Sequence, residues 1–531
     1  MPPVFAQEGH LSATSLVPDG DGGTGTRMTD HEERREALTG TRVLARSTLW
    51  NIIGRLGPMV VALLATPLLV HKLGVPRWGV FTLALSLVGM FGVFDFGVGR
   101  VLARTVAEHL GEGRGDEAAS VVWTGTVLVT IFGVVGALLG SLFVPYLVRS
   151  VLTVPPELHR QTILGLYVLA AAGPLIVLNG ALWGVMSAFQ KFAAANLANI
   201  PVLVMYYLGP LAILYVYDSL IGVMAVLVVC RAAITVAYWM ICLRSMPALR
   251  NARFDLGAIR PMLAFGSWIT VSNVIYPVML YLDRFVIGSL LSVSATAYYA
   301  TPADLMNRFW LVPIAVMNAV FPAMATEFRA DPARTAAMLR RSMIFISATV
   351  FPGCLCAIVL PGPLLEIWLG HDFSQHAAPI LRWFGIGMFI QCLVFVPAGL
   401  LDSLGRFDIT AKLLAAETAI FIPLLFLLVS KFGIEGAACA WLIRVSLAFG
   451  ASLTMAGRLY PPVRAEIWRV LPVLAAGLVL MALPLLASAL IVQLALMAFV
   501  MLTYLALLWL HSLTMDERRQ LGVTFARFAR I

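Results

Sequence analysis

The chain has 531 residues, of which 60% are hydrophobic and 12% are charged, whereas a soluble domain is roughly 45–50% apolar and about 25% charged. This composition excludes an ordinary soluble protein, which needs a charged surface. The net charge of +9 does not indicate a nucleic-acid-binding protein, because the basic residues are spread between apolar runs instead of clustering on one polar face. The composition therefore predicts a protein that crosses a membrane many times.

The first 40 residues are polar, rich in glycine and without periodicity, which predicts a disordered cytoplasmic tail. Fourteen apolar stretches follow, each bounded by charges, prolines or polar turns. A membrane-spanning helix needs about 20 such residues, so each stretch predicts one crossing. They lie near 47–70, 78–99, 119–144, 162–186, 195–217, 219–243, 263–282, 295–323, 342–361, 378–401, 411–430, 434–456, 468–488 and 490–511.

The loops between these stretches differ in positive charge. With the N-terminus in the cytoplasm, the even-numbered loops hold seventeen Lys and Arg residues and the odd-numbered loops hold six. Cytoplasmic loops carry excess positive charge, so the bias predicts fourteen crossings with both chain ends in the cytoplasm.

Weak internal repetition indicates two related halves. Residues 49–81 match 267–299 at an offset of about 218, and 184–192 match 399–407 at an offset of 215. Parallel repeats of this kind enclose a cleft between two halves. The sequence therefore predicts an all-α polytopic membrane protein with six-helix lobes at 41–250 and 251–460, two additional helices at 461–512 and a cytoplasmic tail at 513–531.

The chain lacks the short motifs of common catalytic sites. No GxxxxGK[ST] phosphate loop, HExxH zinc motif or GxSxG nucleophile elbow occurs. We expect neither an enzyme nor a resident cofactor or metal, although an ion gradient could drive a transport step.

Ionisable residues inside the predicted spans are the candidate site residues, since each costs at least about 2.5–3.5 kcal/mol unless it meets a partner or a water-filled cavity. A cleft lined by arginine suits an anionic cargo, because guanidinium binds phosphate in a bidentate manner. The candidate cations are Arg55, Arg308, Arg284 and Arg100; the candidate coupling or cavity acids are Asp304, Asp283, Asp95 and Glu417; Arg231, Arg444 and Asn307 are interhelical or cavity residues.

Each candidate also has a structural interpretation. Asp304 and Arg308 are four residues apart, so they share a helix face and can pair. Arg100 and Arg284 lie near helix ends, where arginine reaches towards the headgroups. Arg231, Arg444 and Glu417 could simply form bonds between neighbouring helices.

Four runs carry a family resemblance: LVHKLGVPRWGVFTLA (69–84), FDFGVGRVLAR (94–104), YLDRFVIGSLLS (281–292) and YYATPADL (298–305). They resemble the polysaccharide transporter family, the Wzx-type oligosaccharide and O-antigen flippases within the superfamily that also contains the MATE exporters. The likeness covers roughly 42–456.

The resemblance implies a flippase in the bacterial inner membrane that moves undecaprenyl-pyrophosphate-linked sugar repeats by alternating access. Arg55 and Arg308 would contact pyrophosphate, Asp304 and Asp283 would hold those arginines or couple to a proton, and the last two helices would flank a groove for the polyprenyl tail. Membrane lipids, a polysaccharide polymerase and glycosyltransferases are the expected partners of a monomer, with no nucleic acid involved.

Two other interpretations stay open. A MATE-like cation-coupled exporter of small molecules would favour an acidic, aromatic cavity, which the excess of intramembrane arginine opposes. A membrane enzyme or a scaffold in envelope assembly is the third alternative.

Overall fold

The computed structural model describes the backbone of residues 41–515, 517 and 518, and the side chains of 57–260, 262, 275–515, 517 and 518. The predicted tail at 1–40 and the residues from 519 onwards lie outside this described part. Within it, all regular structure is helical.

Sixteen α-helices make up the described chain. They are α1 (Thr41–Met90), α2 (Val98–Gly111), α3 (Gly115–Tyr146), α4 (Pro156–Ala170), α5 (Gly173–Ala188), α6 (Phe192–Val216), α7 (Leu220–Ser245), α8 (Leu256–Leu290), α9 (Val293–Met306), α10 (Leu311–Glu327), α11 (Pro332–Val359), α12 (Pro361–Leu369), α13 (His371–Ser403), α14 (Phe407–Leu459), α15 (Val463–Leu480) and α16 (Leu490–Leu507).

Eleven helical segments in the described part are long and apolar enough to cross a membrane. Helix α8 is outside that number, since part of its side chains is not described. Helices suit this environment because all their backbone hydrogen bonds close within the segment. The predicted class, an all-helical protein with many membrane helices, is confirmed.

Two of the eleven segments reverse direction at a glycine. In α1, Gly74 has φ 74°, and in α14, Gly433 has φ 61°. The reversal in α14 follows from an ion pair of 2.8 Å between Glu417 and Arg444, since 27 residues of straight helix would separate them by about 40 Å. In α1, Met59 and Leu85 line one crevice together, as do Thr66 and Trp78, so the helix portions on either side of Gly74 lie against each other.

Helix packing separates the chain into an N-terminal half, up to Asn251, and a C-terminal half, from Leu256 to Leu459. Helix α5 is central in the first half and contacts α2, α3 and α7; helix α13 is central in the second and contacts α9 to α12 and α14. Helix α8 contacts both halves, through α2 and α3 on one side and α9 and α14 on the other. Helices α15 and α16 pack on α11.

The halves meet closely at one end of the bundle. We call this the outer end, because it carries the loops poor in Lys and Arg, and the opposite end the inner end. The Thr153 backbone N–H donates to the Gly288 carbonyl at 2.8 Å, and the Trp78 indole donates to the Thr301 hydroxyl at 2.8 Å. A Cβ at Gly79 would lie 1.8 Å from the Val293 carbonyl oxygen, so α1 and α9 are in backbone contact here.

An ion-pair cluster at the inner end attaches the segment after α16 to the C-terminal half. Arg340 on α11 is 2% exposed and contacts both Glu466 and Glu517 at 2.6 Å. Arg341 also pairs with Glu517. Burial by itself would raise the pKa of the Glu517 carboxyl, but the hydrogen bonds from Arg340, Arg341 and the Thr514 backbone lower it to about 2.

Replacing Gly433 with alanine should destabilise the protein by about 1–2 kcal/mol, since an L side chain is strained at positive φ. Gly450→Ala is the matched control in the same helix: Gly450 has no atom within 4 Å of an added Cβ, and alanine is the better helix former by up to about 1 kcal/mol. Thermal unfolding of the purified protein should show a lower Tm for the first variant and an unchanged or higher one for the second. Equal effects would contradict the argument.

Glu517 should make stability depend on acid pH. Its folded pKa of about 2 lies below the ordinary 4.5, so it stabilises the fold fully above pH 4.5 and progressively less as the pH falls towards 2. The contribution is up to about 3 kcal/mol. Glu517→Gln should lose stability at neutral pH and show a weaker decline in Tm between pH 5 and 3, whereas Glu435→Gln, at an exposed position, should follow the parent protein. An unchanged decline in the first variant would refute this role.

Candidate functional site

Two adjoining cavities lie between the halves. The inner cavity, of about 700 Å³, is lined by Gly92, Asp95, Arg100, Ile176, Val177, Gly180, Tyr276, Pro277, Asp402, Phe407, Thr410, Ala411 and Leu414. The side cavity, of about 200 Å³, shares Tyr276 and Leu414 with it and lies mainly in the C-terminal half. Both halves therefore contribute to one continuous region.

The inner cavity carries acids from both halves and an arginine. Asp95 ends a short 3-10 turn after α1, and its Oδ1 accepts the Gly99 backbone N–H at 3.2 Å. Arg100 stands one turn further along, in the first turn of α2. From the C-terminal half, Asp402 accepts a hydrogen bond of 2.8 Å from the Thr410 hydroxyl.

The side cavity contains two buried acids with different partners. Glu417 forms its ion pair with Arg444 on the other arm of α14, and the two side chains are 16% and 13% exposed. Asp283 accepts from the Tyr299 hydroxyl at 2.7 Å and from the Arg284 backbone N–H at 2.8 Å. Asn307 also lines this cavity. The described residues contain no group of three or more His, Cys, Asp or Glu side chains that could hold a metal ion.

Arg284 joins the two halves. Its side chain is 6% exposed and forms an ion pair with Asp304 on α9. The same guanidinium donates to the Ser86 hydroxyl on α1 at 3.3 Å. Arg284 therefore lies at the interface of the halves.

Arg231 and Arg308 have phenol partners instead of carboxylates. The Arg231 Nε donates to the Tyr206 hydroxyl at 3.2 Å, and an Arg308 Nη donates to the Tyr207 hydroxyl at 3.2 Å. A carboxylate neutralises a guanidinium, whereas a neutral phenol leaves its charge in place. These two arginines are thus suited to attract an anion.

Arg308 lies in a separate outer crevice between α1 and α9. This crevice has a volume of about 100 Å³, and its lining includes Asp304, Tyr207, Thr66 and Trp368. Its residues come from both halves, on the side of the molecule away from the inner cavity.

A family model described as "Polysaccharide biosynthesis protein" matches residues 73–378, more than half of the chain. The chain belongs to the polysaccharide biosynthesis protein family. This confirms the resemblance inferred from residues 69–84, 94–104 and 281–305.

Relatives of this polysaccharide biosynthesis protein include membrane transporters. A putative O-antigen transporter of Shigella flexneri is 28% identical over 76% of this chain and 95% of its own length. The probable flippase AglR of Haloferax volcanii is 22% identical over 80% of this chain and 86% of its own length.

Two solved structures share the fold. Lipid II flippase MurJ, in an inward closed conformation, superposes with a TM-score of 0.66 at 13% identity, over 87% of this chain and 98% of its own. A multidrug resistance MATE family transporter of the MOP superfamily, in an inward-facing conformation, gives a TM-score of 0.65 at 15% identity, over 78% and 99%.

The structure of this family member corrects one predicted pairing. Asp304 pairs with Arg284, twenty residues away, and Arg308 bonds to Tyr207 instead. The Arg284 and Asp304 helices cross within reach of each other, and a buried guanidinium needs a carboxylate more than a half-solvated one does. Arg55 lies outside the residues whose side chains are described, so its predicted role remains a prediction.

Several residues of the region were missed from the sequence. Asp402 and Thr410 lie at the end of the repeat segment 399–407 or just after it, where the pattern was interpreted only as a turn. Tyr206, Tyr207 and Tyr299 look like ordinary apolar-span residues. The signal that could have identified them is that an intramembrane arginine or acid requires a polar partner on a neighbouring helix.

Glu417 and Arg444 should behave as a coupled pair. Removing one partner of a buried pair costs about 3–5 kcal/mol because the other charge is left alone, whereas removing both costs less than the sum. Glu417→Gln, Arg444→Gln and the double variant should therefore give strongly non-additive losses of stability in chemical unfolding. Additive losses would show that the two charges do not interact.

Proposed function

We propose that this chain is a flippase that moves undecaprenyl-pyrophosphate-linked oligosaccharide repeats across the bacterial inner membrane by alternating access. Its cargo would supply a cell-surface polysaccharide such as O-antigen, capsule or exopolysaccharide. The observation that carries the proposal is an inner cavity of about 700 Å³ between two halves that meet at the outer end through Thr153 and Trp78. The family and its O-antigen transporter and flippase relatives support this class of cargo.

We further propose fourteen crossings arranged as two six-helix lobes and two additional helices. Counting the segments broken at Gly74 and Gly433 as two crossings each, and adding α8, raises the eleven spans to fourteen. The charge bias of the loops supports cytoplasmic chain ends. In this orientation the inner cavity opens towards the cytoplasm, where the cargo is made.

Recognition of the pyrophosphate is assigned to arginines whose charge no carboxylate cancels. Arg231 and Arg308 keep their charge beside Tyr206 and Tyr207, and Arg100 lines the inner cavity. Arg55 belongs to this set by its position in the first span. In a low-dielectric cavity such cations attract an anionic head far more strongly than they would in water.

Arg284 and Arg444 are assigned a different role from those arginines. Each is held by a carboxylate, Asp304 or Glu417, so they maintain the cavity wall and the contact between lobes. Asp283 accepts bonds from a hydroxyl and a backbone N–H, which makes it our candidate for coupling to a proton, together with Asp95 in the inner cavity.

The polyprenyl tail would stay in the bilayer beside α15 and α16. Large apolar side chains there are exposed, including Val479, Leu486 and Ile491 at 73%, 83% and 82%. We propose that the monomer carries out the transport and that a polymerase and glycosyltransferases act before and after it.

The test is flipping of a fluorescent lipid-linked oligosaccharide in proteoliposomes. Arg231→Gln and Arg308→Gln should each reduce the initial rate about tenfold or more, since a charge-assisted contact contributes about 1.5–3 kcal/mol. Arg334→Gln is the matched control, because this arginine is 61% exposed and pairs with Glu327 outside the cavities.

Wild-type rates in both cavity variants would refute the assignment of these arginines. Liposomes that flip no lipid-linked sugar but export organic cations would favour the MATE-like alternative.

A further inference from the structure

A single hydrogen bond connects the halves at the surface of the outer crevice. The indole Nε1 of Trp368, on the short helix α12 of the C-terminal half, donates to the backbone carbonyl of Leu63 on α1 at 2.7 Å. Both residues line the outer crevice. A backbone carbonyl inside a helix is an unusual acceptor for such a bond, because the amide four residues later normally occupies it.

Pro67 explains why the Leu63 carbonyl is available. It stands four residues after Leu63 within α1 and has no N–H to donate to that carbonyl. In a membrane, an unsatisfied backbone group costs several kcal/mol. The proline therefore builds a permanent acceptor into α1, which a donor from elsewhere or a water molecule must satisfy.

We propose that Trp368 and the carbonyl freed by Pro67 form an outer latch, a hydrogen bond that favours the state closed at the outer end and breaks when that end opens. The latch rests on the proposed alternation between two states and not on the identity of the cargo. Trp368 acts as a positioning residue: it holds α1 against the C-terminal half and contacts no cargo in this state.

The surroundings of the bond support this role. Trp78 on α1 donates to Thr301 on α9 in the same crevice, so two indoles hold the halves together there. The crevice, at about 100 Å³, is too small for a sugar-pyrophosphate head, since pockets for ligands of drug size measure about 300–1,000 Å³. Passage on this side thus requires the two walls to separate, which breaks the bond to Leu63.

The latch predicts a specific shift between states. Trp368→Phe keeps a ring but removes the N–H, and the loss of one hydrogen bond corresponds to roughly a threefold to tenfold change in the population ratio. The outer-open population should rise by that factor. Trp383→Phe on α13 is the matched control, because the Trp383 indole has no hydrogen bond to any described residue.

Populations can be read from spin-label distances in nanodiscs, in a background where the six cysteines are replaced. One label pair, at Glu157 and Lys431, reports the outer end; a second, at Lys191 and Lys412, reports the inner end. All four positions are exposed. Trp368→Phe should increase the fraction of long outer distances and of short inner distances together.

A second variant separates a latch from simple packing. Pro67→Ala restores an amide that can bond the Leu63 carbonyl within α1, so the acceptor is lost. In that background Trp368→Phe should produce no further shift, whereas a packing role of the indole would persist. An unchanged distribution in Trp368→Phe would overturn the latch, and so would equal shifts from it in the parent protein and in the Pro67→Ala variant.

Failure of the latch and failure of the proposed function give different results. The distances are measured without any lipid-linked sugar, so a shift without flipping activity would leave the latch intact and remove the proposed cargo. Flipping activity without a shift would do the reverse.

Discussion

The absence of water from the bilayer interior is the constraint on which the rest of this structure depends. Every backbone amide and carbonyl in hydrocarbon needs a partner inside the protein, and every charge needs a counter-charge, a polar neighbour or a wet cavity. The helical architecture follows from the first requirement. The Glu417–Arg444 and Arg284–Asp304 pairs follow from the second. Even the exception that Pro67 makes in α1 is satisfied, by an indole from the opposite half.

The same constraint separates the arginines into two groups. Those with carboxylate partners are neutralised, and they hold α14 together or join α8 to α9 and α1. Those with tyrosine partners keep their charge at little cost in desolvation, because each lies beside a hydroxyl and is less deeply enclosed than Arg284. A protein that must bind and release an anion needs the second group, and a protein that must keep its shape in lipid needs the first.

Much of the helix pattern could be predicted, because apolar length is a local property. The expected span 219–243 corresponds to α7, which begins after the Ser219 cap and ends at Ser245. The expected span 295–323 contains the 3-10 turn Asn307–Trp310, which hydropathy could not reveal. The site was harder. Asp304 and Arg308 satisfy every local rule for a pair, yet Arg284 competes for the carboxylate from another helix. Asp402 was hidden in a segment that looked like a turn.

The sequence by itself determined that this is a many-span helical membrane protein, which family it belongs to and which few ionisable residues enter the membrane, since these depend on composition, run length and short motifs. Only the tertiary structure decided which side chain each of those residues contacts, where the halves touch and which carbonyl Trp368 reaches. The physical reason is distance: the strength of an ion pair or a hydrogen bond depends on a few ångströms between atoms of different helices, and those helices are up to three hundred residues apart along the chain.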